Sequence, residues 1–316
     1  MIRRTALVAL CLLMLLCALG CVRNEQDDKT GDGYITVTDD MSRKVTVKRS
    51  PERVAALLGS FADVWTLAGG DICAASEDAW EDFSLELDGA VNIGGAHSPS
   101  LELLLSAEPE LVIASASTAS NVALREPLER MEIPVLYFDV DNFEDYLCML
   151  RVCTEITGRE DCYEQNGVRV RERVESIKES FSLLGLSEEE RRVLVLRVSS
   201  TSVKAKGSRS TILGEMLADL GFINIADSTE SLLEELSVES VISLSPRHIF
   251  VVTMGDESAS EENLRRAIRE NSAWQSVDAL REGRLHLMDR RFFNLKPNAK
   301  WADSYEKIYS IMLGEK

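Results

Sequence analysis

One internal repeat constrains the fold of this chain more than any other feature of its sequence. Three residues recur with the same spacing, each 137 positions later: Ser100, Glu102 and Pro109 are matched by Ser237, Glu239 and Pro246. In both copies an apolar run follows the proline, as expected where a polar loop opens a short helix, the proline ends it and a strand comes next. In a chain of 316 residues, this repeat predicts two similar halves of ordinary domain size.

The segments around both copies alternate between β-rich runs and apolar patterns of helical period. Strand-like runs are found at 53–58, 72–75, 111–115 and 135–138, and again at 192–198, 249–252 and 285–288. The main helical patterns lie at 62–68, 101–107, 121–131, 212–220, 261–281 and 299–313, and a hairpin is predicted at 35–38 and 44–47. This order is typical of α/β lobes built on mainly parallel, doubly wound sheets.

The segment 143–185 differs from both halves because it has no strand-like run. An apolar stripe from Phe143 to Ile156 predicts one helix, and 159–184 predicts a second helix that spans about 40 Å. A stiff connection of this kind permits modest rocking of the lobes rather than wide hinge closure. We therefore predict an N-terminal lobe at 35–142, a helical linker at 143–185 and a C-terminal lobe at 190–316, with a ligand cleft between the lobes.

The first twenty residues read as an export signal, with Arg3 and Arg4 followed by the apolar run TALVALCLLMLLCAL. The run ends in Ala-Leu-Gly-Cys, which resembles a bacterial lipobox and makes Cys21 the expected lipid anchor. An ordinary signal with a nearby cysteine is the alternative. Residues 21–34 are polar and suit a flexible tether, so the protein is expected outside the cytoplasm, anchored to the cell membrane.

Net charge excludes several classes of protein. The chain has 53 acidic and 35 basic residues, for a formal charge of −18. A nucleic-acid-binding protein needs a broad basic surface, and so does a protein that docks on anionic lipid through its folded face. The only long apolar run, 5–19, is too short to cross a bilayer comfortably.

Several short motifs, in this order along the chain, resemble those of the substrate-binding proteins of ABC importers, in the class that captures ferric siderophores, haem and cobalamin. They are ITVTDDMSRKVTV with PERV at 35–54, NIGG with SLE and PELV at 92–112, GSRSTILGEMLADLGFINIA at 207–226, and KPNAKW at 296–301. The resemblance covers nearly the whole chain after the signal. It implies the class III periplasmic-binding-protein fold and a binding protein without catalytic residues or a cofactor.

The same resemblance implies the partners and the ligand. The partners are an ABC permease and its ATPase, and the expected ligand is a ferric siderophore, then haem, then cobalamin. In this family a glutamate on each lobe pairs with arginines of the permease, and Glu102 and Glu239 occupy the matching positions. The simpler alternative is that each glutamate only complements the positive end of its helix.

Two cationic islands stand out in the C-terminal half of this acidic chain, and both follow predicted strands, whose carboxyl ends line clefts in doubly wound lobes. The candidate ligand-binding residues among them are Arg197, Lys204, Lys206 and Arg209 in the first island, and Arg291, Phe292 and Phe293 in the second. Cations with flanking aromatic rings suit a flat anionic ligand. Solvated surface charge is the alternative for each residue taken singly.

Three further candidates fall in the N-terminal half. His97 lies in a loop predicted to face the cleft and is either a haem-iron ligand or a simple polar contact. Ser60 follows a predicted strand and either reaches the cleft or caps a helix. Trp80 lies in an acidic stretch, either as an aromatic residue at the cleft rim or on a solvated face.

Enzymatic function has little support in the sequence, which contains none of the patterns GxSxG, HExxH, P-loop or GxGxxG after a strand. The rival hypothesis is a surface-anchored, chelatase-like enzyme that uses His97 and Glu102 as an acid/base pair. No CxxC pattern marks a zinc or redox site. We expect the four cysteines of the lobes and linker to be small buried residues, with a disulfide to Cys162 left open: Cys73, Cys148, Cys153 and Cys162.

Overall fold

Two separate β-sheets organise the chain, one in each half. The computed structural model describes residues 33–314, so the predicted signal, Cys21 and most of the tether lie outside the described residues. The N-terminal strands are β1 (Tyr34–Thr38), β2 (Lys44–Lys48), β3 (Val54–Ala56), β4 (Ile72–Ala75), β5 (Val91–Asn92), β6 (Leu111–Ser115) and β7 (Val135–Phe138). The hairpin β1–β2 is antiparallel, and the other five strands form a parallel sheet of order β5-β4-β3-β6-β7.

Helices connect the parallel strands of the N-terminal sheet and cover its faces. They are α1 (Gly59–Leu67), α2 (Asp78–Glu81), α3 (Leu101–Ser106), α4 (Ala119–Ala123) and α5 (Arg125–Arg130). The single helical pattern predicted at 121–131 is thus two short helices. Both faces of the sheet carry fully buried apolar side chains, for example Ile113 on one face and Val112 on the other, which is the burial expected of a doubly wound sheet.

The linker consists of α6 (Phe143–Thr157), α7 (Glu160–Tyr163), a π-helical segment (Glu164–Val168) and α8 (Arg169–Ser182). Asn142 starts α6 in a capping box with Asp145, and Gly158 ends it at φ 72°. The prediction of a plain α-helix over 159–184 is corrected, because the rod contains a π segment. A side chain at Gly167 would crowd the ring of Tyr163, at 3.1 Å, so glycine allows this local widening.

The C-terminal lobe repeats this plan with its own sheet. Its strands are β8 (Arg192–Val198), β9 (Val203–Lys206), β10 (Ile223–Asn224), β11 (His248–Thr253) and β12 (Leu285–Met288). The parallel strands have the order β10-β8-β11-β12, and β9 pairs antiparallel with the end of β8. The helices are α9 (Ile212–Asp219), α10 (Glu230–Glu234), α11 (Val238–Leu244), α12 (Glu257–Glu270), α13 (Asp278–Arg281), α14 (Arg290–Phe293) and α15 (Trp301–Leu313).

The sequence repeat corresponds to a structural repeat. Ser100 caps α3 by accepting a hydrogen bond from a backbone N–H three residues on, and Ser237 caps α11 in the same way. Each helix is followed by a non-glycine residue in the left-handed region just before the proline, Glu108 at φ 45° and Ser245 at φ 46°. The next strands, β6 and β11, are interior strands of their sheets. The predicted fold class of two α/β lobes joined by a helical linker is confirmed.

A continuous hydrophobic cluster links both lobes to the linker. It contains fully buried side chains from the N-terminal sheet (Ile113), the linker (Leu150, Val174), the C-terminal sheet (Phe250) and the last helix (Ile308). Separating the lobes widely would expose this surface at a cost of about 25 cal/mol per Å². The lobes and the linker therefore pack as one body, in which only small relative movements are cheap.

The cysteines of the described residues are all free thiols, so no disulfide forms among them. The expectation that all four are buried holds only for Cys153; Cys73 and Cys162 are half-buried and Cys148 is exposed on α6. Over residues 33–314, no helix combines the length and the hydrophobicity needed to cross a bilayer.

Two histidines of the C-terminal sheet form a pair, in which His248 is buried and His286 is half-buried. Nδ1 of His248 on β11 lies 3.0 Å from Nε2 of His286 on the neighbouring strand β12. Burial, the facing His286 and the positive charges of Arg284 and Arg247 lower the pKa of His248 to about 4. The pair is thus neutral and structural at pH 7.

This pair makes stability depend on pH. The unfolded chain binds a proton at His248 near the ordinary pKa of about 6.5, whereas the folded chain resists protonation down to about 4. We expect folded-state stability to fall by about 2 to 3 kcal/mol from this group between pH 7 and pH 4.5. Urea unfolding at both values should show a smaller loss in His248→Gln, while the exposed-site control His97→Gln should behave like the parent. Equal losses in parent and His248→Gln would contradict the expectation.

Candidate functional site

The carboxyl ends of the two sheets meet across a cleft beside the linker. Direct contacts join them: Arg290, just after β12, pairs with Asp82, just after α2. On the opposite side of the cleft, burial raises the pKa of Glu215 on α9; the positive charge of Arg209 opposes this shift, and the negative charges of Asp141 and Asp145 near the start of α6 add to it. Loops at these ends are the usual ligand positions in doubly wound α/β lobes.

A cluster of three cations, Arg197, Lys204 and Lys206, lies on one face of the β8–β9 pair. Arg197 is directly opposite Lys204 in the antiparallel register, and Lys206 is opposite Val195 two residues away. Because side chains alternate between the faces of a strand, all three project to the same side. This grouping depends on β9, which the sequence analysis had not predicted as a strand.

No described carboxylate neutralises this cluster. Burial lowers the pKa of Arg197, and its Nε is buried without a hydrogen-bond partner. Burial, with the neighbouring charges of Arg197 and Lys204, also lowers the pKa of Lys206. Three adjacent positive charges that repel one another, in a chain of net charge −18, form a site poised for an anion.

Lys206 of this cluster lines a large cavity within the C-terminal lobe. A cavity of about 1010 Å³ extends from Lys206 and Arg209 along α9 to the edge of the sheet. Its walls include the apolar side chains of Phe222 and Leu233, and its acidic members are Glu215 on α9 and Asp227. This volume is at the upper end of the range for small-molecule sites, and the exposed Arg209 lines it together with Lys206.

The predicted residues of the N-terminal lobe lie in three different settings. His97 is exposed in the loop after β5, and this loop is held in place by a hydrogen bond from Nδ2 of Asn121 to the carbonyl of Ala96 at 3.2 Å. Trp80 is half-buried on α2 and packs against the main core. Residues 33–314 contain no group of three or more His, Cys, Asp and Glu side chains suited to hold a metal ion.

Ser60 is buried on α1 and neither caps the helix nor faces an open cleft. The N-cap is Leu58, which has no side-chain cap. Instead, Asp78 accepts a hydrogen bond from the N–H of Gly59 at 2.8 Å and takes over the capping of this helix start. The backbone carbonyl of Ser60 accepts a hydrogen bond from Asn298. The capping alternative for Ser60 is therefore wrong.

The second cationic island is largely occupied by contacts within the protein. Arg291 pairs with Asp63 of the N-terminal lobe and stacks over the ring of Phe83, with its guanidinium carbon 4.3 Å from the ring centre. Phe293 is only 1% exposed and belongs to the main core. The prediction that Phe293 contacts the ligand is corrected, because its ring is not at a surface.

Phe292 and the nearby cation Lys296 lie in different settings. Phe292 is half-buried, and the ammonium group of Lys307 lies 4.5 Å from its ring centre. Lys296 is half-buried: burial lowers its pKa, and the negative charges of Asp141, Asp139 and Asp145 partly offset this. These carboxylates lie about 150 residues earlier in the chain, so no local sequence pattern connects Lys296 with them.

Glu102 and Glu239 occupy equivalent positions in the two lobes. Each lies in the first turn of a helix, directly after the capping serine, and each is exposed. Within the described chain, neither carboxylate has a cation within ion-pair distance; Glu239 accepts only a 3.3 Å hydrogen bond from Ser237. The two side chains are thus free to contact a partner.

Comparisons with known proteins agree with this architecture. A family model described as "Periplasmic binding protein" matches residues 54–291. The Fe(3+)-citrate-binding protein YfmC of Bacillus subtilis is 24% identical, over 96% of this chain and 97% of that protein.

Solved structures share the fold. The siderophore-binding protein BauB, bound to a complex of two acinetobactin molecules and ferric iron, superposes with a TM-score of 0.70 at 18% identity, covering 87% of this chain and 98% of that one. SirA of Staphylococcus aureus, in complex with staphyloferrin B, gives a TM-score of 0.67 at 19% identity, covering 89% and 97%.

Proposed function

Because this chain belongs to the periplasmic binding protein family, we propose that it captures a ferric iron complex outside the cytoplasm and delivers it to an ABC permease. By name, YfmC is a Fe(3+)-citrate-binding protein and BauB is a siderophore-binding protein, and SirA was solved in complex with staphyloferrin B. Membership of the family supports the role of a binding protein rather than that of a chelatase-like enzyme. A ferric siderophore or a related ferric chelate is the ligand class that we select.

The observation that carries this proposal is the unneutralised cation cluster of Arg197, Lys204 and Lys206, of which Lys206 lines a large cavity. Ferric chelates with carboxylate or catecholate donors carry net negative charge. Charge-assisted hydrogen bonds to such a ligand would satisfy the buried Nε of Arg197 and remove the repulsion among the three cations. A neutral ligand would leave both costs in place.

Haem is the second candidate, and one observation favours it. His97 is exposed at the carboxyl end of the N-terminal sheet, where an imidazole nitrogen is free to bind iron. None of the three cluster residues is aromatic, however, and haem buries a large flat apolar surface. We therefore place haem after an anionic ferric chelate, and cobalamin third.

We propose two further roles that follow from membership of the family. Glu102 and Glu239 dock the protein on the permease, which works with its ATPase. Cys21 anchors the chain to the cell membrane through acyl groups, since a diffusible ligand is best captured close to its permease. Both roles place the cleft and the two glutamates on the side that meets the membrane protein.

Ligand screening tests the proposal. We expect a chain of residues 22–316 to change its tryptophan fluorescence with ferric citrate or a ferric catecholate at micromolar or lower concentration, because Trp80 is half-buried near Asp82, which contacts the other lobe. With haem, we expect no shift of the Soret band that depends on His97, so the spectra of the parent and of His97→Ala should agree. Binding of haem or cobalamin without any response to ferric chelates would overturn the assignment, and metal insertion into a porphyrin would favour the enzyme instead.

A further inference from the structure

Two charged side chains connect the lobes directly, without the linker. Arg290 of α14 donates from Nη1 to Oδ1 of Asp82 at 2.5 Å and from Nη2 to Oδ2 at 2.9 Å. Their side chains are only 33% and 16% exposed. A bidentate arginine–carboxylate pair of this kind fixes orientation as well as distance.

A second set of contacts lies next to this pair. Nη2 of Arg291 is 3.3 Å from Oδ2 of Asp63, and Nδ2 of Asn298 donates to the same carboxylate and to the carbonyl of Ser60, both at 2.8 Å. Asn298 is fully buried and has a φ of 56°, a conformation that asparagine tolerates better than most residues. Residues 290–298 are thus attached to α1 and α2 of the other lobe.

The position of these contacts is asymmetric. Among the described residues, the ion pairs that join the N-terminal lobe to the C-terminal lobe are Arg290–Asp82 and Arg291–Asp63, and both are beside β12. The cation cluster is at the other edge of the same sheet, where β9 pairs with β8. Ion pairs therefore join the lobes on one side of the cleft. Among the described residues, none joins them on the side that carries the candidate ligand site.

We infer that residues 290–298, through their contacts with Asp82 and Asp63, form a second connection between the lobes in addition to the helical linker; we call this connection the strut. The lobes rock about the strut and so open the cleft on the side of the cation cluster. Asp82 and Arg290 are then positioning residues: they do not touch the ligand but set the width of the cleft. The inference about the lobe geometry rests only on the contacts above. The inference about ligand release rests also on the proposed function.

The test uses the mature chain with Asp82→Asn, Arg290→Gln and the double variant. Without ligand, hydrogen exchange of the backbone amides at 59–63 and 294–298 should accelerate about tenfold in all three, the factor for 1.4 kcal/mol. Each single variant leaves one charge partly buried and unpaired, so the double variant should recover global stability while exchange remains fast. If the ion pair contributed only to global stability, the double variant would regain the slow exchange of the parent together with its stability. Glu126→Gln, which removes an exposed pair with Arg130, is the control.

Dissociation of ferric citrate, followed by stopped-flow fluorescence, should also be about tenfold faster in the double variant. Exchange and dissociation rates equal to those of the parent would overturn the inference. If exchange accelerates but neither the parent nor any variant binds ferric chelates, the inference about the strut is supported and the proposed function is wrong. The two conclusions are therefore tested separately.

Discussion

Replacement of Arg197, Lys204 and Lys206 together by glutamine is expected to weaken binding of a ferric chelate by about a thousandfold. A hydrogen bond to a charged group contributes about 1.5 to 3 kcal/mol, so the loss of three corresponds to at least about 4 kcal/mol. The folded state should not suffer, because the substitution removes three charges that repel one another and have no carboxylate partner. Isothermal titration calorimetry with ferric citrate and with a ferric catecholate would measure the change.

A matched control separates this site from net charge. The triple substitution Lys44→Gln, Arg169→Gln and Arg191→Gln removes the same charge from exposed positions and should leave affinity within about twofold. Binding by the parent should also weaken as salt rises, since the attraction is largely electrostatic. Affinity of the cluster variant within threefold of the parent would show that the ligand binds elsewhere.

Reversing the charge of both exposed glutamates, Glu102→Lys with Glu239→Lys, is expected to abolish uptake and leave ligand affinity unchanged. Each carboxylate is free of an ion pair in the described structure, so its replacement costs the fold little. At a docking surface, like charges placed opposite each other cost several kcal/mol and slow association. Uptake of a radiolabelled ferric chelate by cells, compared with the affinity of the purified variant, measures the two effects.

The control for this pair is Glu86→Lys with Glu188→Lys, which makes the same change of charge at exposed positions outside the two capped helices. It should transport normally. Each single reversal, at Glu102 or at Glu239, should have an intermediate effect, because one contact remains. Normal uptake in the double reversal would rule out docking through these glutamates and leave them as residues that only complement their helix ends.

The two-lobe plan was predictable because short local sequence signals specify it. The capping serine, the first-turn glutamate and the helix-ending proline act within about ten residues of chain, and they occur in both halves. The strand β9 was missed because four residues, VKAK, give too short an alternation to recognise. Without β9, the sequence shows Arg197 and Lys204 as neighbours in the chain but not as partners across a sheet.

The second cationic island shows why site residues are harder to predict than folds. Arg291 looked like a free cation beside aromatic rings, but its carboxylate partner, Asp63, is 228 residues away in the chain. No periodicity or spacing connects positions that far apart. Burial has the same difficulty: the ring of Phe293 is enclosed by the packing of distant elements, so a local pattern cannot distinguish it from an aromatic residue at a surface.

The π segment of the linker has a consequence for the packing of its two long helices. In an α-helix each residue is rotated by about 100° about the helix axis relative to the one before it. A π turn accommodates one extra residue. The segment is fastened to the N-terminal side by Asn166, whose carbonyl accepts from Tyr146 and whose Nδ2 donates to Leu67. Because the π turn absorbs the extra residue, α6 and α8 keep the phase in which both pack against the common core. A residue inserted or deleted within α8, where no π turn takes up the change, would instead rotate the rest of that helix by about 100° about its axis.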